Sequence, residues 1–441
     1  MKKSKLNRRK FIRNASFSAI GAGLVTSEMA MAGTTASEAK QPIKIKEYRK
    51  FGKTGFNISD ISSGNPSSEA VLKALLQNGV NLIDTGEAYA NGNSEKLIGK
   101  VIQNYNRSEL FINTKLYINE QNLSKKDIIK KTNNCLERLQ TDYVDCMMIH
   151  SAENTDILSD EGFHAGMEQL KKSGKVRHLG VSCHGNSWAY NTEENLETIL
   201  LAAAEDGRFD VLLLAYNFVN ADRAENVLDK CDKKGIATMI MKSNPIHIYG
   251  LMDARVNKLT EEGKEIDEYT QAFYDKYKIM QEGAMSYFEA YGITDEKDLK
   301  AAATKYVLSN PKAHTTIWDF QNFDDVKEMI SLSGQKLSER DTALLNGYHK
   351  YLGKYTCRIG CNDCEAACPH HLPINKIMRY NYYFSAKRQE KRAMEKFARL
   401  NTQKPMDVCT SCDGMCEKAC GYGVQTKQLL ASAQKNMELV V

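Results

Sequence analysis

From Tyr48 to about Gly334 the chain alternates short apolar runs with longer segments whose apolar positions recur every three or four residues. The short runs read ISDISSG, VNLIDTG, ELFINTK, VDCMMIH, VRHLGVS, FDVLLLAYN, IATMIMKS and HTTIWDF. They are rich in Val, Ile, Leu or Met and lack strict polar alternation, the pattern of strands buried on both faces. Between them, SEKLIGKVIQNY, SKKDIIKKTNNCLERLQ and EENLETILLAAAEDG read as amphipathic helices. The polar strand ends recur roughly every thirty residues, the length of one strand–helix unit.

Eight such units predict an α/β fold, a (β/α)8 TIM barrel over residues 48–334. An open doubly wound sheet competes, but it wants a Gly-rich phosphate loop after its first strand, and ISSGNPSSEA is not one. YRKFGKTGFNISDI, ahead of the first barrel strand, predicts a small hairpin with Gly52 and Gly55 at its turns. A charged insert, roughly IYGLMDARVNKLTEEGKEIDEYTQAFYDKYKIMQEG, follows the seventh strand; it reads equally as a roof over the loop face and as a solvated helix pair. Residues 335–441 predict a helical linker and a small, mainly helical second domain, with INKIMRYNYYFSAKRQEKRAMEKFARL helical and aromatic-rich.

The amino terminus has a different character. Arg8 and Arg9 stand in a basic segment, a short apolar run extends from Ala15 to about Val25, and small residues Ala30 and Ala32 follow. This is the layout of an export signal over 1–32, too short to span a bilayer, with 33–47 as linker. NRRKFI resembles a twin-arginine signal, which implies export of a folded protein and a periplasmic location. Residues 1–32 hold seven Lys or Arg and one Glu, whereas the whole chain is +5, so the remainder is close to −1. The basic balance belongs to the signal and gives no support to nucleic-acid binding. No other stretch is apolar enough for membrane insertion once the signal is removed.

In barrels of this kind chemistry gathers at the carboxyl ends of the strands. Those ends carry Asp84 with Tyr89 in the loop beyond it, then Lys115, then His150. Singly, each has a structural explanation: a turn cap, a solvated cation, a satisfied polar group. Together they describe carbonyl reduction. A tyrosine with pKa ~10 is a poor acid at neutral pH. An adjacent ammonium favours the phenolate, and a carboxylate holds the ammonium. A histidine can orient the carbonyl oxygen.

NLIDTGEAYANGNSEKLIG, LFINTKLY, VDCMMIH and GKVRHLGVS resemble the corresponding stretches of the aldo-keto reductases. The resemblance covers Tyr48 to Gly334 and implies a barrel that interconverts small carbonyls and alcohols with NADP(H). It makes Asp84, Tyr89, Lys115 and His150 the catalytic tetrad, with Tyr89 as acid. It also puts Ser182 on the nicotinamide carboxamide. Around that cofactor the chain departs from the family: His184 (or Asn186) follows where Asn is common, Asn217 lies near an absent Gln, and Met241 stands about where an aromatic often stacks. Asp324 and Asp325 lie near the place where a basic residue usually grips the 2′-phosphate, and carboxylates there repel it. The tetrad thus argues for the chemistry, whereas these departures weigh against NADPH more than against NADH, whose ribose hydroxyl a carboxylate tolerates better, and leave NADPH, NADH and no nicotinamide as alternatives.

Eight of the twelve cysteines fall in two groups. The first is Cys357, Cys361, Cys364 and Cys368, followed by Pro369; the second is Cys409, Cys412, Cys416 and Cys420, followed by Gly421. Bacterial ferredoxins space their thiolates two, two and three apart, and each group here matches with one residue added. Two groups of four are what two 4Fe–4S clusters need. Zinc and disulfides are the alternatives: zinc favours paired ligands across a knuckle, and a large barrel needs no staples. Resemblance to dicluster ferredoxin domains implies that Cys420 joins the first three thiols, and Cys368 joins Cys409, Cys412 and Cys416. The remaining Cys135, Cys146, Cys183 and Cys231 read as small buried hydrophobes. The expected protein is an exported oxidoreductase in which tetrad chemistry couples, through the clusters, to a redox partner protein. A non-catalytic iron–sulfur protein using the barrel as a binding scaffold is the alternative, as is a cytoplasmic reductase with a misread amino terminus.

Overall fold

The computed structural model describes residues 43–118, 122–185, 194–245, 284–293, 296–385, 389–400, 405–409 and 411–438, with isolated positions between them. The expected signal at 1–32, Asn186 and most of the charged insert lie outside the described residues.

The hairpin forms as expected, with β1 (Tyr48–Lys50) and β2 (Asn57–Ser59) antiparallel. Eight parallel strands follow: β3 (Ile61–Ser63), β4 (Leu82–Asp84), β5 (Phe111–Leu116), β6 (Val144–Ile149), β7 (Val176–Cys183), β8 (Val211–Ala215), β9 (Ala237–Met241) and β10 (Thr315–Trp318). They run in sequence order around a closed barrel, which β10 seals against β3 with Thr316 beside Ile61. Every residue of β5, β6, β8 and β9 is buried, one face inside the barrel and the other under helices. That double burial is why the runs show no polar alternation. The hairpin closes the amino end, where buried Phe51 meets Phe111 edge to face at 5.1 Å. Gly52 makes this turn at φ +52°, and a Cβ there would lie 2.6 Å from the backbone nitrogen of Ala237. Only glycine fits.

After the successive strands come α1 (Glu69–Gln77), α2 (Asn93–Ile102), α3 (Lys125–Leu139), α4 (Glu161–Lys172), α5 (Leu196–Asp206), α6 (Ala221–Lys234), α7 (Glu296–Ser309) and α8 (Phe323–Ile330). Their starts are written locally. Ser124 and Asp127 form a reciprocal capping box on α3, and Asn195 and Thr198 do the same on α5. Then α9 (Glu339–Leu352) packs Leu344, Leu345, Tyr348 and Leu352 in one apolar cluster with Leu299, Ala302 and Ala303 of α7.

The remaining elements are α10 (Ile374–Ser385), α11 (Glu390–Ala398), α12 (Pro405–Cys409), α13 (Met415–Lys418) and α14 (Thr426–Met437). Among the described residues no strand follows Trp318. Helices α10 and α14 share a second core, built from Ile377, Met378, Leu429, Leu430 and Ala433; Cys364, Cys368, Cys409 and Cys416 lie in it, and Cys357 and Cys420 pack against it. This carboxyl-terminal unit sits on the carboxyl ends of the barrel strands. Leu196 N–H donates to Gly360 O at 3.0 Å, and the Tyr382 hydroxyl donates to Asn244 O at 2.7 Å. Arg223 pairs with Asp363 at 2.6 Å, and the Tyr422 hydroxyl donates to Asp222 at 2.6 Å.

Candidate active site and thiol clusters

Asp84 ends β4, Lys115 lies one residue from the end of β5, and His150 follows β6 directly. Parallel registration sets these strand ends side by side at the barrel mouth. Lys115 Nζ lies 2.6 and 2.7 Å from the two oxygens of Asp84 and donates to Thr85 O at 2.5 Å. Both side chains are buried, at 1% and 2% exposure. Asn113 adds a third hydrogen bond to this carboxylate, its amide 2.6 Å from Asp84 Oδ1. Sequence reading missed Asn113, because in a doubly buried strand a polar residue carries no local sign of its partner.

Tyr89 begins a one-turn 3₁₀ segment whose next two residues, Ala90 and Asn91, have φ of 49° and 53°. This strained turn swings the phenol back over the pair. Lys115 Nζ lies 4.9 Å from the Tyr89 ring centre, and the His150 ring lies 5.4 Å away, edge to face. All four expected tetrad residues therefore meet in one crevice. Their protonation follows from burial. Burial opposes the Lys115 ammonium, but Asp84 and Tyr89 outweigh it and raise its pKa. Burial raises the Asp84 pKa against the pull of Lys115, while Lys115 and Asn113 make three hydrogen bonds to a carboxylate that can only accept. Burial lowers the His150 pKa to about 3, with Lys115, Lys396, Arg392 and Arg379 adding to it, so the imidazole is neutral at pH 7. One expectation is corrected here. Lys115 does lower the pKa of Tyr89, yet burial raises it by more, and the net direction is upward.

The positions expected to hold a nicotinamide are otherwise engaged. Ser182 is buried at the end of β7, where its hydroxyl accepts from Ser151 N–H at 2.8 Å and donates to Ile149 O at 3.3 Å. Asn217 uses its amide on Lys242 O and its carbonyl on the N–H groups of Val219 and Asn220. Met241 is buried at the end of β9. His184 keeps a buried Nδ1 with no partner, and burial, followed by Arg379 and Lys242, holds its pKa well below the ordinary value. Asp324 and Asp325 occupy the first turn of α8, where Asp325 accepts from Gln321 N–H at 2.8 Å. Over this face lies α10, with Lys242 Nζ 4.6 Å from the Tyr383 ring centre.

The eight terminal thiols are all free. Burial, then Cys361 and Cys420, raises the pKa of Cys357; burial, then Cys357 among others, raises that of Cys364. In the second group, burial and the neighbouring Cys416, Cys368 and Cys412 push Cys409 up to about 12. Cys416 is likewise raised to about 11 by burial and then by Cys368. Cys420 is thus electrostatically a neighbour of the first group and Cys368 of the second. Among the described residues, no three His, Cys, Asp or Glu side chains converge as ligands of a single metal ion. Beside the first group a cleft enclosing about 490 Å³, partly open to solvent, is lined by Cys357, Arg358, Asn217, Pro245, Met378 and Tyr382 among others.

Residues 50–349 match the sequence pattern of the aldo/keto reductase family. Aldo-keto reductase YhdN of Bacillus subtilis is 24% identical over 322 residues, covering 68% of this chain and 92% of that protein. Methylglyoxal reductase DkgB of Salmonella typhi is 36% identical over 115 residues, 26% of this chain and 41% of its own. Among solved structures, an aldo/keto reductase from Klebsiella pneumoniae in complex with NADP and acetate superposes with a TM-score of 0.47 at 21% identity, covering 70% of this chain and 96% of that one. With the family pattern spanning well over half of its residues, this chain belongs to the aldo/keto reductase family and is an oxidoreductase.

Proposed function

We propose that this oxidoreductase interconverts a small carbonyl and its alcohol at Asp84, Tyr89, Lys115 and His150, and exchanges single electrons through two 4Fe–4S clusters in its carboxyl-terminal unit. The observation that carries the catalytic part is the buried Lys115–Asp84 pair lying under the Tyr89 ring. An uncompensated ammonium at 1% exposure would be costly, so the carboxylate keeps Lys115 charged where a phenolate has to be stabilised. As a reductant of the hydride-donor class delivers two electrons and a hydrogen to the carbonyl carbon, Tyr89 gives a proton to the developing alkoxide, Lys115 steadies the phenolate left behind, and neutral His150 donates a hydrogen bond to the carbonyl oxygen. In the alcohol-oxidising direction the same groups take the proton back.

Dinucleotide binding is the part of the family pattern that these residues support least. The Klebsiella relative holds NADP, but here Ser182 and Asn217 already spend their polar atoms on the backbone and α10 covers that face. We derive no step through it. The cluster reading fits better. Four thiols in each set are buried or half-buried, unpaired as disulfides, and mutually coupled as two crossed groups: Cys357, Cys361, Cys364 with Cys420, and Cys409, Cys412, Cys416 with Cys368. Clusters held there supply one-electron transfer. The sequence at 1–32 supports export by the twin-arginine route, which suits a protein that folds around such groups before crossing a membrane. Among the described residues no helix is long and apolar enough to cross one.

The test uses protein purified without oxygen. Iron and sulfide per chain, electron paramagnetic resonance after reduction, and nucleotide released on denaturation together define the cofactors. Tyr89→Phe is expected to abolish carbonyl reduction while leaving the iron signals intact. Retained reduction by that variant, or a colourless, iron-free protein, would each remove one half of the proposal.

A further inference from the structure

The carboxyl-terminal unit brings more than thiols to the barrel mouth. From α10 comes Arg379, and from α11 come Arg392 and Lys396. They gather on the Tyr89–His150 crevice, where Lys242 follows the end of β9. Arg392 lies 6.0 Å from the Tyr89 ring centre and 5.5 Å from that of Tyr383. Lys396 and Arg379 lie 5.7 and 5.8 Å from the Tyr380 ring centre. Among the described residues none of these four cations forms a salt bridge.

The neighbouring acids answer these cations only in part. Glu153 faces Lys376 at 3.9 Å, and Asp319 accepts from Asn65 N–H at 3.1 Å. Glu365 accepts from Asn375 N–H at 2.7 Å through one oxygen and leaves the other without a hydrogen-bond partner, while burial raises its pKa to about 7. Tyr383 is a partial answer to the positive charge. Burial raises its pKa, the four cations more than reverse this, and the phenol is left at about 8. One phenol that is mostly neutral at pH 7 cannot balance four cations. A second observation points to a ligand: Arg379 is only 7% exposed, yet its Nε has no hydrogen-bond partner. His184 Nδ1, electrostatically coupled to the same guanidinium, is also buried without a partner. Buried cations and orphaned polar atoms are expensive unless something completes them. Tyr89, His150, His184, Lys242 and Lys396 are only partly buried and Arg392 is exposed, so the crevice is reachable from outside.

We propose that the crevice takes a substrate bearing a carboxylate beside its reacting group, an oxo acid or hydroxy acid, with the carboxylate held by Arg379, Arg392, Lys396 and Lys242. Guanidinium forks match a carboxylate in shape as well as charge. The carboxyl-terminal unit then sets specificity for the barrel it covers. This inference deepens the catalytic reading above and rests on it.

The test is calorimetric binding of phenylglyoxylate and of its neutral methyl ester to the full chain, purified without oxygen, at pH 7. The acid is expected to bind at least about ten-fold more tightly, as charge-assisted pairs require. The preference should vanish in Arg379→Gln/Arg392→Gln and shrink in Lys242→Gln. The latter lies on the barrel, so misfolding of the carboxyl-terminal unit cannot mimic its effect. Lys172→Gln, at an exposed side chain near the end of α4, should leave the preference unchanged. Equal binding of acid and ester, binding of neither, or a preference that survives the double substitution overturns the proposal. Tyr89→Phe separates the two readings: it should lose turnover and keep the preference for the acid. Undiminished turnover in that variant sinks the tetrad reading, and lost discrimination in the unmodified protein sinks the anion site.

Discussion

Lys115 faces two acids at once, the carboxylate of Asp84 at 2.6 Å and the phenol of Tyr89 over which it lies. Because burial raises the Tyr89 pKa above its ordinary value, the phenol stays protonated through the neutral range and beyond. Carbonyl reduction, which needs the proton on Tyr89, is therefore expected to stay level from pH 6 to 9. Alcohol oxidation, which needs the phenolate, should rise across that range. Lys115→Met removes the largest of the charges that favour the phenolate, Arg392 being the smaller, and leaves Asp84 buried without its ammonium. Oxidation should fall by about 10²- to 10⁴-fold, the usual worth of a positioned proton-transfer group, read as kcat against pH. His150 governs stability rather than this profile. Its folded pKa of about 3 lies below its unfolded value, so the unfolded chain binds the extra proton. Its contribution is complete above about pH 6.5 and is lost as the pH falls through 3. His150→Gln should flatten the acid limb of a denaturation midpoint plotted against pH; an unchanged acid limb would count against the neutral imidazole.

At the level of elements, the contact between the first thiol loop and the barrel is backbone against backbone. Gly360 has φ +90°, and a Cβ on it would lie 2.6 Å from Leu196 Cβ; Gly185 meets Gly360 just as closely. Gly360→Ala combines a left-handed conformation with a clash, each costing roughly 1–3 kcal/mol. It should lower the transition of the carboxyl-terminal unit in thermal unfolding and spare that of the barrel. The elements themselves were largely legible. All eight barrel strands fall where the apolar runs lie, because burial on both faces leaves a mark on every residue of a strand. The tetrad was legible because its four side chains belong to strand ends and their adjoining loops. Arg379, Arg392 and Lys396 were not, since a cation on an amphipathic helix reads as solvated until the helix is docked. The upward net shift of Tyr89 was hidden for the same reason. Sequence shows the ammonium beside the phenol, whereas the burial that opposes it comes from the whole assembled mouth.

For the molecule as a whole, the crossing of the two thiol sets matters more than their number. Cys357, Cys361 and Cys364 precede α10, whereas Cys420 lies between α13 and α14; the reverse crossing joins Cys368 to the set that begins at Cys409. Clusters bound across these spans would tie the ends of the carboxyl-terminal unit together, with α10 and α11 enclosed between them. Its own core is small, and small cores rely on such ties. Cys420→Ser is therefore expected to lose the cluster whose other three thiols lie some sixty residues earlier, bringing iron to about half of its full value. Cys368→Ser should lose the other cluster instead, and the two variants should differ in their paramagnetic spectra. Removing both clusters by chelation should loosen α10 and α11 together and so uncover the crevice at Tyr89. Amide exchange should then quicken across residues 374–398 while β5 and β6 stay protected, because the barrel is sealed by its own ladder and does not depend on the cover. If exchange in α10 and α11 is unaltered by chelation, the thiols do not hold the cover in place, and the active site and the clusters would have to be coupled by some other route.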